Sequence, residues 1–216
     1  MKSFISERSF PCKHFTTTKA AGNMKDKSVR NSFLLSLKLN PMKLVLANQI
    51  HSNNIAIVSV SNRNTFINNC DGLITADKDI MLGIFSADCV PLLLYMGNMG
   101  IKAALHAGWK GIFSGIIENA VKIFNKEFCI RPEEIKVYMG PHICSSCYEV
   151  VREMENKFNV QLNNNKLDLS EIIYNKLKTI GINEIYNIKR CTFHEEDSFF
   201  SYRRNKCTER ILSVII

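Results

Sequence analysis

A cysteine and a histidine with reactive side chains lie close together in the stretch of residues 86–111. Cys89 precedes the apolar segment VPLLLYM at 90–96, and His106 ends the apolar segment IKAALH at 101–106. The residues between these segments, GNMG at 97–100, are turn formers, so the two segments are predicted to form a hairpin. The hairpin would bring Cys89 and His106 together at its open end.

His51 is a third chemically useful side chain, at the end of the motif Gln49-Ile50-His51 and of a predicted strand. A His-Cys-His set with an open fourth position is typical of catalytic zinc sites. The alternatives are a turn histidine at 51 that bonds to the backbone, and a cysteine nucleophile at 89 with His106 as its base. A third is a Cys89 that is only a small buried side chain. Asp88 would either orient a ligand or cap a turn.

The motif HAGWKG at 106–111 predicts a turn that leads into a helix. Backbone N–H groups at Gly108 and Gly111, together with the charge of Lys110, would favour an anion such as phosphate there. Trp109 would either stack on a planar base or pack against the protein. Near the end of the chain, Arg203 and Arg204 would bind phosphate or form ion pairs on the surface. 

Other cysteines form a second pattern, in which Cys144 and Cys147 are separated by two residues and Cys191 lies three residues before His194. These residues are compatible with a structural zinc site, and less so with a redox dithiol. Cysteines that pack between a strand and a helix are the interpretation that the sequence alone favours.

The overall composition indicates a globular protein without a membrane segment. The chain has 216 residues, eight cysteines and a formal net charge of +8. Charges at Lys2, Glu7 and Arg8 interrupt any apolar run at the start, so we expect neither a signal peptide nor a membrane span and expect a cytoplasmic protein. The basic residues are scattered, so no nucleic-acid partner is expected.

The secondary-structure pattern predicts one mixed α/β domain over residues 1–216. A central strand at MLGIFSADC, the 97–100 hairpin and an amphipathic helix over 111–128 form its middle. Further helices are predicted over 147–158 and 170–181, and the segments EIYNIKRC, FFSYRR and RILSVII are predicted to be strands.

Several motifs together make the sequence resemble the laccase-domain family, whose members were labelled multicopper polyphenol oxidases and later purine nucleoside phosphorylases. The resemblance runs from about His14 to Arg210, and ADC followed by HAGW at this distance is highly specific. The motifs that carry it are FTT at 15–17, QIH at 49–51, DGLIT at 71–75, ADCVPLLL at 87–94, HAGWKG at 106–111, GPHI and CYEV within 140–150, and CT and FFSYRR within 191–204.

The resemblance implies an α+β fold, a mixed α/β domain with mixed β-sheets flanked by helices, similar to the catalytic domain of cytotoxic necrotizing factor toxins. It implies that His51, Cys89 and His106 are both the zinc ligands and the catalytic groups. The implied activity is phosphorolysis of adenosine or inosine, with adenosine deaminase and methylthioadenosine phosphorylase side activities. The implied partners are purine nucleosides and inorganic phosphate, and the implied assembly is a monomer or a small homo-oligomer.

Zinc is expected rather than copper. Multicopper oxidation needs several copper ions held mainly by histidines, and the chain has five histidines in all. Two other hypotheses stay open at this point: a metal-free cysteine amidohydrolase that uses Cys89 and His106, and a non-catalytic basic binding module.

Overall fold

Two six-stranded β-sheets organise the chain, whose computed structural model describes residues 2–97 and 99–216. The first sheet has the strand order β1-β2-β12-β7-β3-β5. Its strands are β1 (Phe4–Ile5), β2 (His14–Thr17), β3 (Leu44–Ala47), β5 (Phe66–Ile67), β7 (Met81–Ser86) and β12 (Ile211–Ile215). Both parallel and antiparallel pairs occur in it, since β7 pairs parallel to β3 and antiparallel to β12.

The second sheet has the order β11-β10-β8-β9-β6-β4 and is also mixed. Its strands are β4 (Ile55–Ile57), β6 (Gly72–Thr75), β8 (Val90–Met96), β9 (Ile101–Ala107), β10 (Lys136–Met139) and β11 (Glu184–Asn187). The long β8–β9 hairpin forms its centre, with Pro91 opposite His106.

α-Helices accompany the two sheets, and three of them cover the outer faces. The helices are α1 (Lys27–Ser36), α2 (Trp109–Phe113), α3 (Ile116–Phe128), α4 (Glu153–Phe158), α5 (Leu169–Ile180) and α6 (Tyr202–Asn205). Among the described residues, no helix is long and apolar enough to cross a membrane.

Alternation along the strands explains the layers. In β8, Leu93 packs between the two sheets with Leu82 of β7, whereas Leu92 and Leu94 face the opposite way toward α3 and α5. Successive side chains of a strand point to opposite faces, so a strand buried on both faces reads as a continuous apolar run. Leu44 and Leu46 of β3 pack on the α1 side in the same manner. The fold therefore has four layers, in the order helix, sheet, sheet, helix.

The predicted hairpin is confirmed, although Asn98 of its turn lies outside the described residues. The predicted helix over 111–128 is divided into α2 and α3, because Gly115 adopts a left-handed φ of 85° that an α-helix does not continue through. The predicted helix over 147–158 is shorter and begins at Glu153. The prediction of a strand at FFSYRR is wrong, since residues 202–205 form the single helical turn α6.

Candidate active site

The three predicted reactive residues come together from separate parts of the fold. His51 lies in the loop after β3, Cys89 lies in the tight turn between β7 and β8, and His106 lies near the end of β9. One ligand atom from each side chain lies within 4.8 Å of the others. The rings of His51 and His106 meet edge to face, with their centroids 4.8 Å apart.

Asp71, immediately before β6, holds this arrangement in place. Its fully buried carboxylate accepts a hydrogen bond from the Nδ1 of His106 at 2.8 Å. The backbone N–H groups of Ile50, His51 and Ser52 also donate to it, at 3.1, 3.0 and 2.7 Å. One carboxylate therefore fixes the ring of His106 and the loop that carries His51.

These hydrogen bonds control the charge of Asp71. Burial by itself would raise the pKa of this carboxyl group, but the hydrogen bonds from His106 and Ser52 outweigh it and lower the pKa to about 2. Because an ionised carboxylate can only accept, the Nδ1 of His106 is the donor. In the neutral form of His106, which a metal ligand requires, this leaves Nε2 as the atom that can bind a metal ion.

Gln49 ties the same loop to the first sheet. Its side-chain amide donates to the carbonyl of Phe85 at 2.8 Å and accepts from the N–H of Phe85 at 2.9 Å. This pair continues the backbone pairing between β3 and β7 beyond the end of β3. His51 then adopts a left-handed φ of 62°, which turns the chain sharply at the point where its side chain enters the site.

Asp88 has a positioning role rather than a direct contact with either histidine. Its carboxylate accepts from the hydroxyl of Thr192 at 2.7 Å and from the N–H of Arg203 at 2.6 Å, in the first turn of α6. Its own φ is 98°, a strained value for a residue with a Cβ. These bonds fix the turn that presents Cys89, so the capping alternative is the one that the geometry supports.

Cys89 and His106 influence each other's protonation. Burial would raise the pKa of the thiol, but His106 and His51 lower it to about 6. Burial would likewise lower the pKa of His106, but the Cys89 thiolate and Asp71 raise it to about 9. In the absence of a metal ion the pair is therefore a thiolate and an imidazolium at neutral pH.

The glycines of HAGWKG give the site room. A Cβ on Gly108 would lie 2.9 Å from the Sγ of Cys89 and 3.4 Å from the Cδ2 of His51. A Cβ on Gly111 would lie 2.8 Å from the carbonyl oxygen of Ser52. Both glycines are buried, and they allow the start of α2 to pack directly against the reactive side chains.

We expect Gly108→Ala to weaken metal binding and activity by about 10-fold or more, because the new methyl group must displace the thiol of Cys89. Metal content and initial rates measured on the purified variant check this. Gly97→Ala is the control, since its Cβ would meet only a carbon of Tyr95 at an ordinary 3.5 Å. Equal effects of the two substitutions would contradict the steric explanation.

The three residues lie in a cavity of about 670 Å³, a size suited to a small organic ligand. Its walls combine aromatic rings with basic side chains. Trp109 and Gln49, predicted as supporting residues, both line the cavity, as does Asp88. The aromatic lining residues are Phe66, Phe85, Trp109, Tyr148 and Tyr202, and the basic ones are Lys25, Arg203 and Arg210.

The predicted phosphate-binding residues separate into two groups. Arg203 lines the cavity, with its guanidinium 5.1 Å from the ring centre of Tyr148. The exposed side chain of Lys110 does not line it and lies over the ring of Trp109. Arg204 also lies outside, because its guanidinium donates to the carbonyls of Thr192, Phe193 and Phe199. The positions of Lys110 and Arg204 therefore give no support to phosphate contacts.

Ser86 supplies an unused polar group in the cavity wall. Its side chain is 1% exposed, and within the described residues its Oγ has no hydrogen-bond partner. A buried hydroxyl without a partner is costly. 

Asp71, Tyr148 and Arg210 are among the residues that the sequence interpretation missed. Asp71 belongs to the motif DGLIT and Tyr148 to CYEV, so a signal existed for both. Nothing in the local sequence, however, indicates that Asp71 would face His106. That contact depends on the pairing of β6 with β9, in which Gly72 lies opposite Leu105.

Comparison with known proteins places this chain in a family. The purine nucleoside phosphorylase Cj1217c of Campylobacter jejuni is 37% identical over 178 residues, which cover 80% of this chain and 76% of that protein. The purine nucleoside phosphorylase RC0672 of Rickettsia conorii is 32% identical over 207 residues, which cover 87% and 84%. 

Solved structures confirm the predicted fold class. The crystal structure of YlmD from Geobacillus stearothermophilus superposes with a TM-score of 0.90 at 26% identity, covering 100% of this chain and 98% of that one. The Bacillus licheniformis hypothetical protein YfiH gives 0.92 at 26% identity, covering 100% and 96%. Residues 9–216 match the family model described as multi-copper polyphenol oxidoreductase laccase, and the chain belongs to that family.

Proposed function

We propose that the chain is a zinc-dependent purine nucleoside phosphorylase, which converts adenosine or inosine and phosphate to a free base and ribose 1-phosphate. The observation that carries the proposal is the His51, Cys89 and His106 cluster in a cavity with aromatic and basic walls. The names of the Campylobacter and Rickettsia relatives support the same reaction.

The donor set fits zinc. Two imidazoles and a thiolate are ligands that zinc accepts, and their ligand atoms are already within 4.8 Å of one another. The bond from the Nδ1 of His106 to Asp71 is the carboxylate–histidine contact that orients zinc ligands. When bound, zinc would supply Lewis-acid polarisation of a substrate atom at the position that the protein leaves open.

Aromatic rings in the cavity suit a purine base. The rings of Phe66 and Phe85 are nearly parallel, with centroids 6.4 Å apart and an interplanar angle of 20°. Tyr148 contributes a hydroxyl group as well. Burial and the nearby Cys89 raise the pKa of Tyr148 to about 12, so its phenol stays protonated and can donate a hydrogen bond to the substrate. 

Basic side chains in the cavity suit the phosphate. Lys25, Arg203 and Arg210 line it, and the carboxylate of Asp88 already accepts from the hydroxyl of Thr192 and from the backbone N–H of Arg203. In the reaction, a phosphate oxygen forms a bond to the C1′ of the ribose while the bond from C1′ to the base nitrogen breaks. These cations would hold the phosphate next to the sugar carbon, which becomes positively charged as the bond breaks.

Other parts of the proposal concern the same chain. We propose that adenosine deamination and methylthioadenosine phosphorolysis take place in the same cavity as side activities. A single domain over residues 1–216, a cytoplasmic location and a monomeric or small homo-oligomeric state stay predictions. 

A metal-free cysteine amidohydrolase is the second candidate. The thiolate of Cys89 beside the imidazolium of His106 favours it, since such a pair is a reactive nucleophile and acid. Selective alkylation of Cys89 by iodoacetamide in protein that contains no metal would support this candidate. 

The test of the proposed function is an assay of inosine with phosphate on protein purified without added metal. Near-stoichiometric zinc together with phosphate-dependent release of hypoxanthine supports the phosphorylase. Metal-free protein that releases no base with or without phosphate would overturn it. Replacement of phosphate by sulfate is the control, because hydrolysis would continue without phosphate whereas phosphorolysis would stop.

We expect Arg203→Ala to raise the KM for phosphate about 10-fold, because a charged hydrogen-bond donor is removed from the cavity wall. Lys110→Ala is the matched control, since Lys110 is exposed and outside the cavity. Initial rates at varied phosphate measure both. If only Lys110→Ala raises the KM, phosphate binds at the start of α2 instead.

A further inference from the structure

A second group of ligand atoms lies outside the cavity. Cys144, Cys147, Cys191 and His194 each offer one ligand atom within 4.8 Å of the other three, and none of these residues lines the cavity. We propose that they form a second, structural zinc site with three thiolates and one imidazole. This proposal is independent of the proposed function, because it concerns neither substrate nor catalysis.

Sheet topology explains why these ligands meet. Strands β10 and β11 are parallel neighbours, with Met139 opposite Asn187. The chain leaves both strands at the same end of the sheet. A backbone β-bridge between His142 and Cys191 keeps the two segments side by side. One segment then supplies Cys-x-x-Cys and the other Cys-x-x-His. Two short ligand pairs at this spacing are typical of structural zinc sites.

The distances fit one tetrahedral ion. Zinc holds sulfur at about 2.3 Å and nitrogen at about 2.0 Å, so its ligand atoms lie about 3.5–3.8 Å apart. The ring of His194 lies between two sulfurs, with Nδ1 3.7 Å from the Sγ of Cys144 and Nε2 3.0 Å from the Sγ of Cys147. Only one nitrogen of His194 would bind the ion, so the ring must turn that nitrogen toward the ion for the four ligands to form a tetrahedron.

Backbone groups around Cys191 favour a thiolate at that position. The N–H groups of Cys144 and His194 both point at the Sγ of Cys191, at 3.4 Å each. Two N–H donors aimed at one sulfur stabilise negative charge on it, as outer hydrogen bonds do in metal sites. Cys147 also donates its N–H to the carbonyl of Cys144 at 3.0 Å, which closes the turn that carries the first ligand pair.

Four protein ligands leave no open position, so this zinc would be structural. It would stabilise the cavity indirectly through Asp88. Ile143, next to Cys144, donates its N–H to the carbonyl of Asp88 at 3.0 Å. Thr192, next to Cys191, donates its hydroxyl to the carboxylate of Asp88 at 2.7 Å. Both ligand pairs are therefore one residue away from the turn that presents the active-site cysteine.

Two other uses of these cysteines are less compatible with the geometry. In a [4Fe–4S] cluster each ligand binds a different iron, and in a [2Fe–2S] cluster the four ligands are divided between two irons, so the ligand atoms lie further apart than around a single ion. A Cys144–Cys147 disulfide would leave Cys191 and the two N–H groups aimed at it without a function. Packing cysteines, which the sequence alone favoured, would not require three thiols and an imidazole to converge on one point.

Zinc content tests the proposal. Full-length protein purified from zinc-supplemented medium, without a metal-binding tag, should hold about two zinc ions per chain. The His51→Ala, Cys89→Ala variant should keep about one, and cobalt bound to it should show the thiolate charge-transfer bands of a tetrahedral site. Cys144→Ser, Cys147→Ser should lose that zinc and lower the Tm by at least about 5 °C. Cys129→Ser, Cys207→Ser is the control and should lose none.

His194→Cys is a second variant, and it tests the site without removing a ligand, because a fourth thiolate can replace the imidazole. It should keep the zinc, whereas His194→Ala should bind it more weakly. The proposal is overturned if the His51→Ala, Cys89→Ala variant contains no zinc. It is also overturned if only six free thiols are counted in the wild-type protein denatured with a chelator, because two of its eight cysteines would then form a disulfide.

Discussion

Replacing Cys89 with alanine should remove the active-site zinc and reduce phosphorolysis by more than about 100-fold. The variant loses one of three ligands, a larger change than the loss of an outer hydrogen bond, which by itself costs about 10- to 100-fold. Zinc content by elemental analysis and initial rates of hypoxanthine release measure the two effects.

Two further variants distinguish a ligand from a nucleophile at position 89. Cys89→Asp offers a carboxylate oxygen, which zinc also accepts, but no thiol. If Cys89 is a zinc ligand, Cys89→Asp should therefore retain more zinc and more activity than Cys89→Ala. Cys12→Ala is the matched control, since Cys12 is buried in a different part of the core. Full activity in Cys89→Ala would contradict both catalytic proposals for this residue.

The approach of Cys89 to His106 could be predicted because it depends on local sequence. A short turn between two apolar strands sets the hairpin register, and that register puts Val90 opposite Ala107 and Pro91 opposite His106. The layered burial of β8 could likewise be inferred from its continuous apolar run.

The role of Asp71 could not be predicted in the same way. Its contact with the loop at 50–52 needs the parallel pairing of β4 with β6, and its contact with His106 needs the antiparallel pairing of β6 with β9. Neither pairing follows from a turn between neighbouring strands. The motif DGLIT indicated a strand but not which neighbours it would have.

The anion site shows how one pattern can serve another purpose. Glycines before a helix suggested exposed N–H groups, but Gly108 and Gly111 are buried against Cys89 and Ser52. The basic residues that do line the cavity come from distant positions, among them Lys25 and Arg210. Similarly, FFSYRR was predicted to be a strand, yet Ser201 caps a helical turn by accepting from the N–H of Arg204.

The second prediction concerns Asp71→Asn, which should lower metal affinity and kcat/KM by about 10- to 100-fold without removing a ligand. One oxygen of Asp71 accepts from the backbone of Ile50 and Ser52, and the other from His51 and His106. An asparagine keeps one acceptor and turns the other into an NH₂ donor. That NH₂ group would face either backbone N–H donors or the Nδ1–H of His106. The variant therefore loses the hydrogen bonds that orient at least one of the ligands His51 and His106. Metal titration and steady-state kinetics measure the loss.

The same substitution should change the acid stability of the protein. Because the folded-state pKa of Asp71 is depressed from 3.8 to about 2, its ionised form stabilises the fold above pH 4, and this contribution disappears as the pH falls from about 4 to 2. Asp71→Asn should therefore be less stable than the wild type at neutral pH, with the difference shrinking toward pH 2. Asp79→Asn is the control, since the ion pairs of Asp79 with Lys43 and Arg63 are exposed. If urea unfolding at pH 7 and pH 2.5 gives the same difference between Asp71→Asn and wild type, the carboxylate does not hold the site through its charge.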